Sequence, residues 1–358
     1  MNKIIFLLCF IMLFSSCNTN ISSNDITADV LEDSIEKTLP HNFIKGVNYA
    51  RSYRNGNGYG SEKSYDTIDY LIALGVNSIT INPFGSQENV DSTEINLWGR
   101  DRSDRDISIE KEIKNAHDNN LIVMFKPQIW SRDFDADGKW AGDIKFDDEN
   151  KLHAWFESYH EYILHYAKLA EKTNTEIFVV GHEFAGISDK TDYWREVIKR
   201  VREVYSGKIT YTAHHSDYNK IEFWDDVDYI GLSAYFTISD KKNPIVEELK
   251  EGWTLYIDEL EKISKEFDKP IIFNEVGYRS VSGTANDPWK WDDNEEKNEK
   301  AQADAYDAMF QSIKNKDFIH GIYIWKYHTD PENEDRDGRD FQPYGKLAEE
   351  MIDEWFNE

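Results

Sequence analysis

The sequence is short of cysteine, of positive charge and of long apolar runs. Its only two cysteines, Cys9 and Cys17, both precede the patterned part of the chain. The body therefore has no disulfide, no thiolate metal site and no cysteine nucleophile. Lys and Arg number 41 against 68 Asp and Glu, for a formal net charge of −27. Phosphate backbones and anionic lipid surfaces both require concentrated positive charge, so nucleic acid and electrostatic lipid binding are excluded as partners. The longest apolar run, Ile4–Phe14, is well below the roughly 20 residues of a spanning helix. No Walker loop, no GxSxG elbow and no Gly-rich dinucleotide turn follows any strand, and no cofactor is expected. Aromatic residues, in contrast, are abundant: 11 Trp, 20 Tyr and 19 Phe make up 14% of the chain. A disordered acidic chain would be poor in them, so most of this chain folds. The 358 residues allow two average domains or one large α/β barrel.

The first 16 residues read as a signal peptide, with Lys3 as its positive region and Ile4–Phe14 as its apolar one. Phe14-Ser15-Ser16-Cys17 resembles the lipobox of bacterial lipoproteins, although Phe14 departs from the commoner Leu. That resemblance implies lipidation of Cys17 and a place in the bacterial envelope, on its periplasmic or cell-surface face. A lipid anchor at Cys17 would be the protein's one link to a membrane. Residues 17–40 are polar and weakly patterned, as a flexible tether would be.

From His41 to the end at Glu358, strand-like and helix-like segments alternate. Strands are predicted at Phe43–Tyr49, Val76–Asn82, Leu121–Pro127, Glu176–Glu183, Lys208–Ala213, Val227–Ser233, Pro270–Glu275 and Phe318–Trp325. Helices are predicted at Ser64–Leu74, Ile107–Asn119, Lys151–Lys172, Asp192–Tyr205, Ile245–Phe267, Lys300–Asn315 and Tyr344–Phe356, with one or two helical turns in Asp217–Asp226. Gly75 is placed to cap the first helix. Eight such repeats without a break in composition predict a single (β/α)₈ barrel spanning 41–358, not an open doubly wound sheet. A monomer is expected.

In this barrel the loops after the strands build the active face. Here they are the longest connections, and they carry Trp98, Trp130, Trp140, Trp289 and Trp291. Such indoles either stack on sugar rings or pack the loops onto the barrel rim. Glu183 ends the predicted fourth strand and Glu275 the seventh, so both would point into one barrel mouth. A retaining glycosidase needs two carboxyl groups about 5–5.5 Å apart, one ionised and one protonated. Beside them, Tyr235 is placed to hydrogen-bond Glu275, and Trp325 to floor the subsite of the scissile sugar. Asn82, Lys126, Gln128, Tyr49 and Arg51 follow strand ends as partners for sugar hydroxyls. Lys126, Tyr49 and Arg51 serve equally well as partners of neighbouring protein groups. His214-His215 and the Asp133–Gly138 loop suggest metal only weakly. Adjacent His side chains on an extended chain diverge, and a calcium loop beginning at Asp133 would have Ile144 in place of its closing Glu. The acidic run Asp330–Asp340 reads as a solvated loop, and no metal is expected.

Several stretches resemble glycoside hydrolase family 113 of clan A, whose members are chiefly β-mannanases. They are Gly75-Val76-Asn77, Phe178–Phe184, Tyr229–Tyr235, Pro270–Arg279 and the closing Phe341-Gln342-Pro343-Tyr344-Gly345-Lys346. The resemblance runs from Phe43 to Trp355. It implies a retaining hydrolase of β-1,4-mannosidic linkages, with Glu183 as acid/base, Glu275 as nucleophile and a neutral β-linked oligo- or polysaccharide as partner. Clan A usually places Asn before the acid/base, to bond the sugar 2-hydroxyl, whereas this chain has His182. Some mannanases of the clan also carry His there. A hydrolase of another β-glycan (β-glucan or xylan) and an inactive glycan-binding lipoprotein are the alternatives.

Overall fold

The computed structural model describes residues 39, 42–52, 56–97, 105–290, 294–335 and 337–357. The expected signal peptide, Cys17 and nearly all of the tether lie outside the described residues, as do Trp98 and Trp291.

Eight parallel strands close a barrel. In order around it they are β1 (Ile44–Ala50), β2 (Ser78–Ile81), β4 (Ile122–Phe125), β6 (Ile177–His182), β7 (Lys208–Ala213), β8 (Tyr229–Ser233), β9 (Ile271–Val276) and β10 (Ile319–His328), which returns to β1. The chain thus forms the predicted (β/α)₈ barrel. Helices α1 (Glu62–Ala73), α2 (Asp106–Asp118), α4 (Glu149–Lys172), α5 (Thr191–Arg202), α6 (Val246–Phe267), α7 (Glu299–Ile313) and α8 (Leu347–Asn357) follow strands in turn. After β7 the place of a helix is taken by two 3₁₀ turns, Tyr218–Lys220 and Trp224–Asp226.

Local chemistry sets the helix ends. The Ser61 hydroxyl accepts the Ser64 N–H at the start of α1, and Gly75 follows its end at φ +83°, a left-handed conformation that only glycine adopts freely. The long helix α4 starts at Asp148, whose carboxylate accepts the Asn150 N–H at 2.8 Å. Its buried stripe of Trp155, Phe156, Tyr159, Ile163 and Tyr166 faces the barrel wall.

Two cores result. The larger lies between strands and helices and takes the outward side chains, such as Ile79, Phe125 and Phe178. The smaller lies inside the barrel, where Ile44, Met124, Ile177, Val179, Ile272 and Tyr323 pack together. Tyr323 adds a hydroxyl contact of 2.8 Å with Ser78. Along β1, β4 and β9 the inward series changes in chemistry from this apolar plug toward the C-terminal ends, to Asn48, Lys126 and Asn274, all fully buried. That polar layer is the floor of the barrel mouth.

Three short elements lie in segments predicted as loops. β3 (Phe84–Gln87) and β5 (Gln128–Ser131) pair in parallel as a two-stranded ribbon above the second and third barrel strands. α3 (Arg132–Asp137) follows, in what was read as a loop resembling a calcium site. There Asp133 is satisfied by protein donors: the Val90 N–H at 3.1 Å, the Ser131 hydroxyl at 2.5 Å and Lys139 at 3.3 Å.

Candidate active site

Strand register explains how two glutamates reach one mouth. Along the β6–β7 pair, Val179 faces Thr210 but His182 faces Thr212. Three steps on one strand match two on the other, so a bulge turns His182 to the side that Val179 faces. Glu183 follows at φ +56°, a left-handed conformation that is costly for a side chain with Cβ. Its N–H donates to the Thr212 carbonyl at 2.8 Å and its carbonyl accepts the Ala185 N–H at 2.9 Å. This tight turn aims the carboxyl over the barrel. A second bulge lies on β9, where Phe273 faces Leu232 but Glu275 faces Ser233. It lets Asn274 and Glu275 share the interior. Asn274 Nδ2 donates to Thr212 Oγ1 at 2.7 Å, across the barrel floor. Gly277 follows because a Cβ there would lie 2.6 Å from the Trp325 carbonyl.

The groups around Glu275 hold it ionised. Lys126, with no exposed surface, donates from Nζ to Glu275 Oε1 and to Asn48 Oδ1, the latter at 2.6 Å. Asn48 is itself fixed by donating to the Asn274 and Tyr323 carbonyls. The Tyr235 hydroxyl donates to the other oxygen, Oε2, at 3.1 Å. Burial alone would raise the Glu275 pKa, but Lys126, His182 and Tyr235 together take it below the ordinary carboxylate value. Trp325 is half-buried within β10, which runs three residues past the predicted strand end, and its ring lies 5.3 Å from Lys126 Nζ.

Glu183 stands in the opposite condition. Burial first, then the charge of Glu275, pushes its carboxyl up to about 8. His182 stands between the two, its Nε2 3.7 Å from Glu183 Oε2 and 3.4 Å from Glu275 Oε1. Burial lowers the His182 pKa to about 4, so the ring is neutral near pH 7. The mouth therefore combines one protonated and one ionised carboxyl group close to a common neighbour. That is the equipment for donating a proton to a leaving oxygen while attacking the carbon it leaves.

Comparison with known proteins gives the family. The model of Glycoside Hydrolase Family 113 matches residues 47–346. The chain belongs to glycoside hydrolase family 113. A solved GH113 β-1,4-mannanase complex is 31% identical, with a TM-score of 0.78, covering 88% of this chain and 99% of that one. The GH113 β-mannanase AaManA from Alicyclobacillus acidocaldarius, in complex with ManMIm, is 28% identical with a TM-score of 0.77, covering 88% of this chain and 97% of that one. A β-D-glucuronidase from Dictyoglomus thermophilum, at 16% identity and TM-score 0.61, shares the fold alone; the match covers 88% of this chain and 50% of that one. No curated protein matched the chain.

The remaining predicted residues of this family-113 chain divide. Asn82 and Gln128 lie buried at the rim, and neither Asn82 Oδ1 nor Gln128 Nε2 has a hydrogen-bond partner among the described residues. Asn82 Nδ2 donates to Thr80 Oγ1 at 2.7 Å. Trp130 is half-buried on β5, beside a groove of about 710 Å³ that includes Ser86, Asn96, Arg132 and Asn150. Arg51 lies 5.8 Å from the centre of the Phe84 ring, also at the rim. Tyr49 requires a correction. It is fully buried, and its hydroxyl contacts the Ser64 carbonyl and hydroxyl on α1, at 2.9 and 2.8 Å. It points outward from the barrel, because β1 alternates and its neighbour Asn48 takes the inward place. Asn48 is accordingly the site residue that was missed, and strict alternation along Ile44, Gly46 and Asn48 was the signal for it. Asp217, after β7, was also missed. Burial raises its pKa, and its charge adds to the upward pressure on Glu183.

The His pair also requires a correction. His214 and His215 do not diverge, since β7 ends at Ala213 and the chain turns. Their ring centroids are 3.9 Å apart. Among the described residues no group of three or more His, Cys, Asp or Glu side chains is arranged to hold a metal ion.

Proposed function

We propose that the protein is a retaining hydrolase of β-1,4-mannosidic linkages, acting by double displacement with Glu275 as nucleophile and Glu183 as acid/base. The observation that carries this reading is the opposite electrostatic setting of two glutamates around His182, in a family whose solved members at 28–31% identity are named β-mannanases. Glu275 attacks the anomeric carbon, and the glycosidic C–O bond breaks as Glu183 gives its proton to the departing oxygen. The product is a glycosyl ester on Glu275, which carries no charge. The ester removes one of the influences that kept Glu183 protonated, so the Glu183 pKa falls and the group serves as base for the second step. Glu183 then takes a proton from water, and that oxygen attacks the same carbon. Glu275 departs as carboxylate and Glu183 is again protonated.

Lys126 and Tyr235 stabilise the carboxylate and orient it, and Trp325 supplies an apolar floor. His182, standing where clan A usually has Asn, is assigned to the sugar 2-hydroxyl. The test is hydrolysis of β-1,4-mannan by the full chain, with products sized, beside xylan and β-glucan. Manno-oligosaccharides from the wild type and none from Glu275→Ala are expected. Cleavage of xylan or β-glucan in place of mannan overturns the substrate; binding without cleavage overturns the enzyme.

The lipobox-like Phe14-Ser15-Ser16-Cys17 supports anchoring at Cys17 and residence in the bacterial envelope. Expression in a bacterial host should yield a membrane-fraction protein that Cys17→Ala releases. A monomeric state is proposed as well, and a mass measurement in solution checks it.

A further inference from the structure

Four aromatic rings from three separate loops run in a row across the catalytic face. Trp140 follows α3, His214 and His215 follow β7, and Trp289 follows β9. Consecutive ring centroids are 4.5 Å apart for Trp140–His214, 3.9 Å for His214–His215 and 4.5 Å for His215–Trp289. The last pair is stacked, at 26° between planes. The two indoles at the ends are 37% and 46% exposed. A continuous run of exposed rings on a catalytic face is the kind of apolar surface that marks a ligand groove.

The middle of the row lies near the catalytic pair: the charge of His182, after burial and His215, helps to lower the His214 pKa. The Glu183 N–H donates to the Thr212 carbonyl, two residues before His214. The nucleophile's own partners, Lys126 and Tyr235, come from after other strands, β4 and β8. In the reaction the acid must face the leaving oxygen, so the leaving-group part of the glycan emerges on the Glu183 side of the mouth. That side of the mouth borders β7, whose following loop carries the two histidines of the row.

Each histidine backs one indole. His214 lies against Trp140 and His215 against Trp289, and the two rings touch each other. Beneath Trp140 the chain is glycine, since a Cβ at Gly142 would stand 2.3 Å from the indole. The Ser216 N–H donates to His214 Nδ1 at 3.3 Å, which leaves the proton of the neutral ring on Nε2. Burial keeps both rings neutral near pH 7, with His214 taken to about 3 and His215 to about 4. The row therefore presents apolar faces without charge, on a chain that is otherwise strongly acidic, and a neutral sugar ring is the chemistry that suits it.

We propose that Trp140 and Trp289 are stacking platforms for the leaving-group sugars of the substrate, held in place by His214 and His215. This rests on the reading of Glu183 as acid/base, so the experiment uses two substrates. One is a manno-oligosaccharide long enough to extend past the cleavage point on both sides. The other is an aryl β-manno-oligosaccharide whose leaving group is a nitrophenol, with no sugar on that side. Trp140→Ala and Trp289→Ala should each lower kcat/KM on the long substrate by roughly tenfold or more, the usual effect of truncating an aromatic anchor. Neither should change kcat/KM on the aryl substrate by more than about twofold, within the scatter of a surface substitution. His215→Ala should reproduce the Trp289→Ala loss, and His215→Phe should restore it, because bracing needs a ring and not a nitrogen. Equal losses on both substrates would mean a structural role and overturn the proposal, as would no loss on either. Loss with His215→Phe equal to that with His215→Ala overturns the bracing. If the wild type cleaves neither substrate, the mannanase reading fails and takes this one with it.

Discussion

Glu183 and Glu275 are the same side chain at equivalent places, each at a bulged strand end in one barrel mouth. They nevertheless titrate in opposite directions. Glu275 has a buried cation on one oxygen and a phenol on the other, and lies below its ordinary pKa. Glu183 has burial and a neighbouring negative charge, and lies at about 8. Burial acts upward on both, so it cannot be what separates them. The difference comes from the neighbours: Lys126, just past β4, and Tyr235 hydrogen-bond Glu275 directly, whereas Glu183 feels Lys126 only as a distant charge and is raised by Glu275. A site of this kind is made less by its two carboxyl groups than by where the single buried cation is put.

The largest test of that contrast is to remove one carboxyl at a time. Glu275→Gln should lower kcat by roughly 10⁴–10⁶-fold on every glycoside, since no other group can form the covalent intermediate. Glu183→Gln should lower it by roughly 10²–10⁴-fold on an oligosaccharide, the usual contribution of a positioned acid. With a nitrophenol leaving group, which departs without a proton, the loss in formation of the glycosyl-enzyme should be much smaller. A burst of nitrophenol should then accumulate before slow hydrolysis. Equal losses for Glu183→Gln on the two substrates would remove the distinction between acid and nucleophile.

Lys126→Met comes next. It keeps the apolar stem and removes the charge that opposes burial at Glu275. The Glu275 pKa should then rise, because burial and Glu183 are left less opposed. Glu275 works ionised, so the acidic limb of the kcat/KM profile should move to higher pH, and activity at neutral pH should fall by roughly 10²-fold. In the wild type the acidic limb should lie below the ordinary carboxylate value, and the alkaline limb near 8, where Glu183 loses its proton. Because the groups are coupled, these limbs belong to the pair. An acidic limb unmoved in Lys126→Met would show that Tyr235 and His182 alone keep Glu275 ionised.

Much of this contrast was open to reading in the sequence, and some was not. The eight barrel strands follow from alternation and spacing, and both glutamates stand out because strands end at them. Tyr235 was placed correctly beside Glu275 by its position after β8, since the Oη–Oε2 contact is 3.1 Å. The Lys126–Glu275 pair joins residues 149 apart, and only the closure of the barrel brings them together. The bulges on β6 and β9 leave no composition signal, yet they decide which side chains face inward. The β3–β5 ribbon, four residues a side, is too short for alternation to register. Tyr49 was misjudged because an aromatic hydroxyl after a strand suggests a site, whereas parity along β1 assigns that place to Asn48.

The smallest expected effect concerns Asp217, which sits on the acid's side of the mouth and has no counterpart around Glu275. Its charge is the last of the influences raising Glu183, after burial and Glu275. Asp217→Asn keeps the shape and removes that charge. Ionisation of Glu183 then becomes easier, its pKa falls, and the alkaline limb of kcat/KM should move down by a fraction of a unit while the acidic limb stays. A shift of one unit corresponds to about 1.4 kcal/mol, so the change should be visible in the profile and nearly invisible in kcat at pH 6. A shift larger than a unit would mean that charge, and not burial, keeps Glu183 protonated. Asp217 would then act on Glu183 as strongly as Lys126 acts on Glu275.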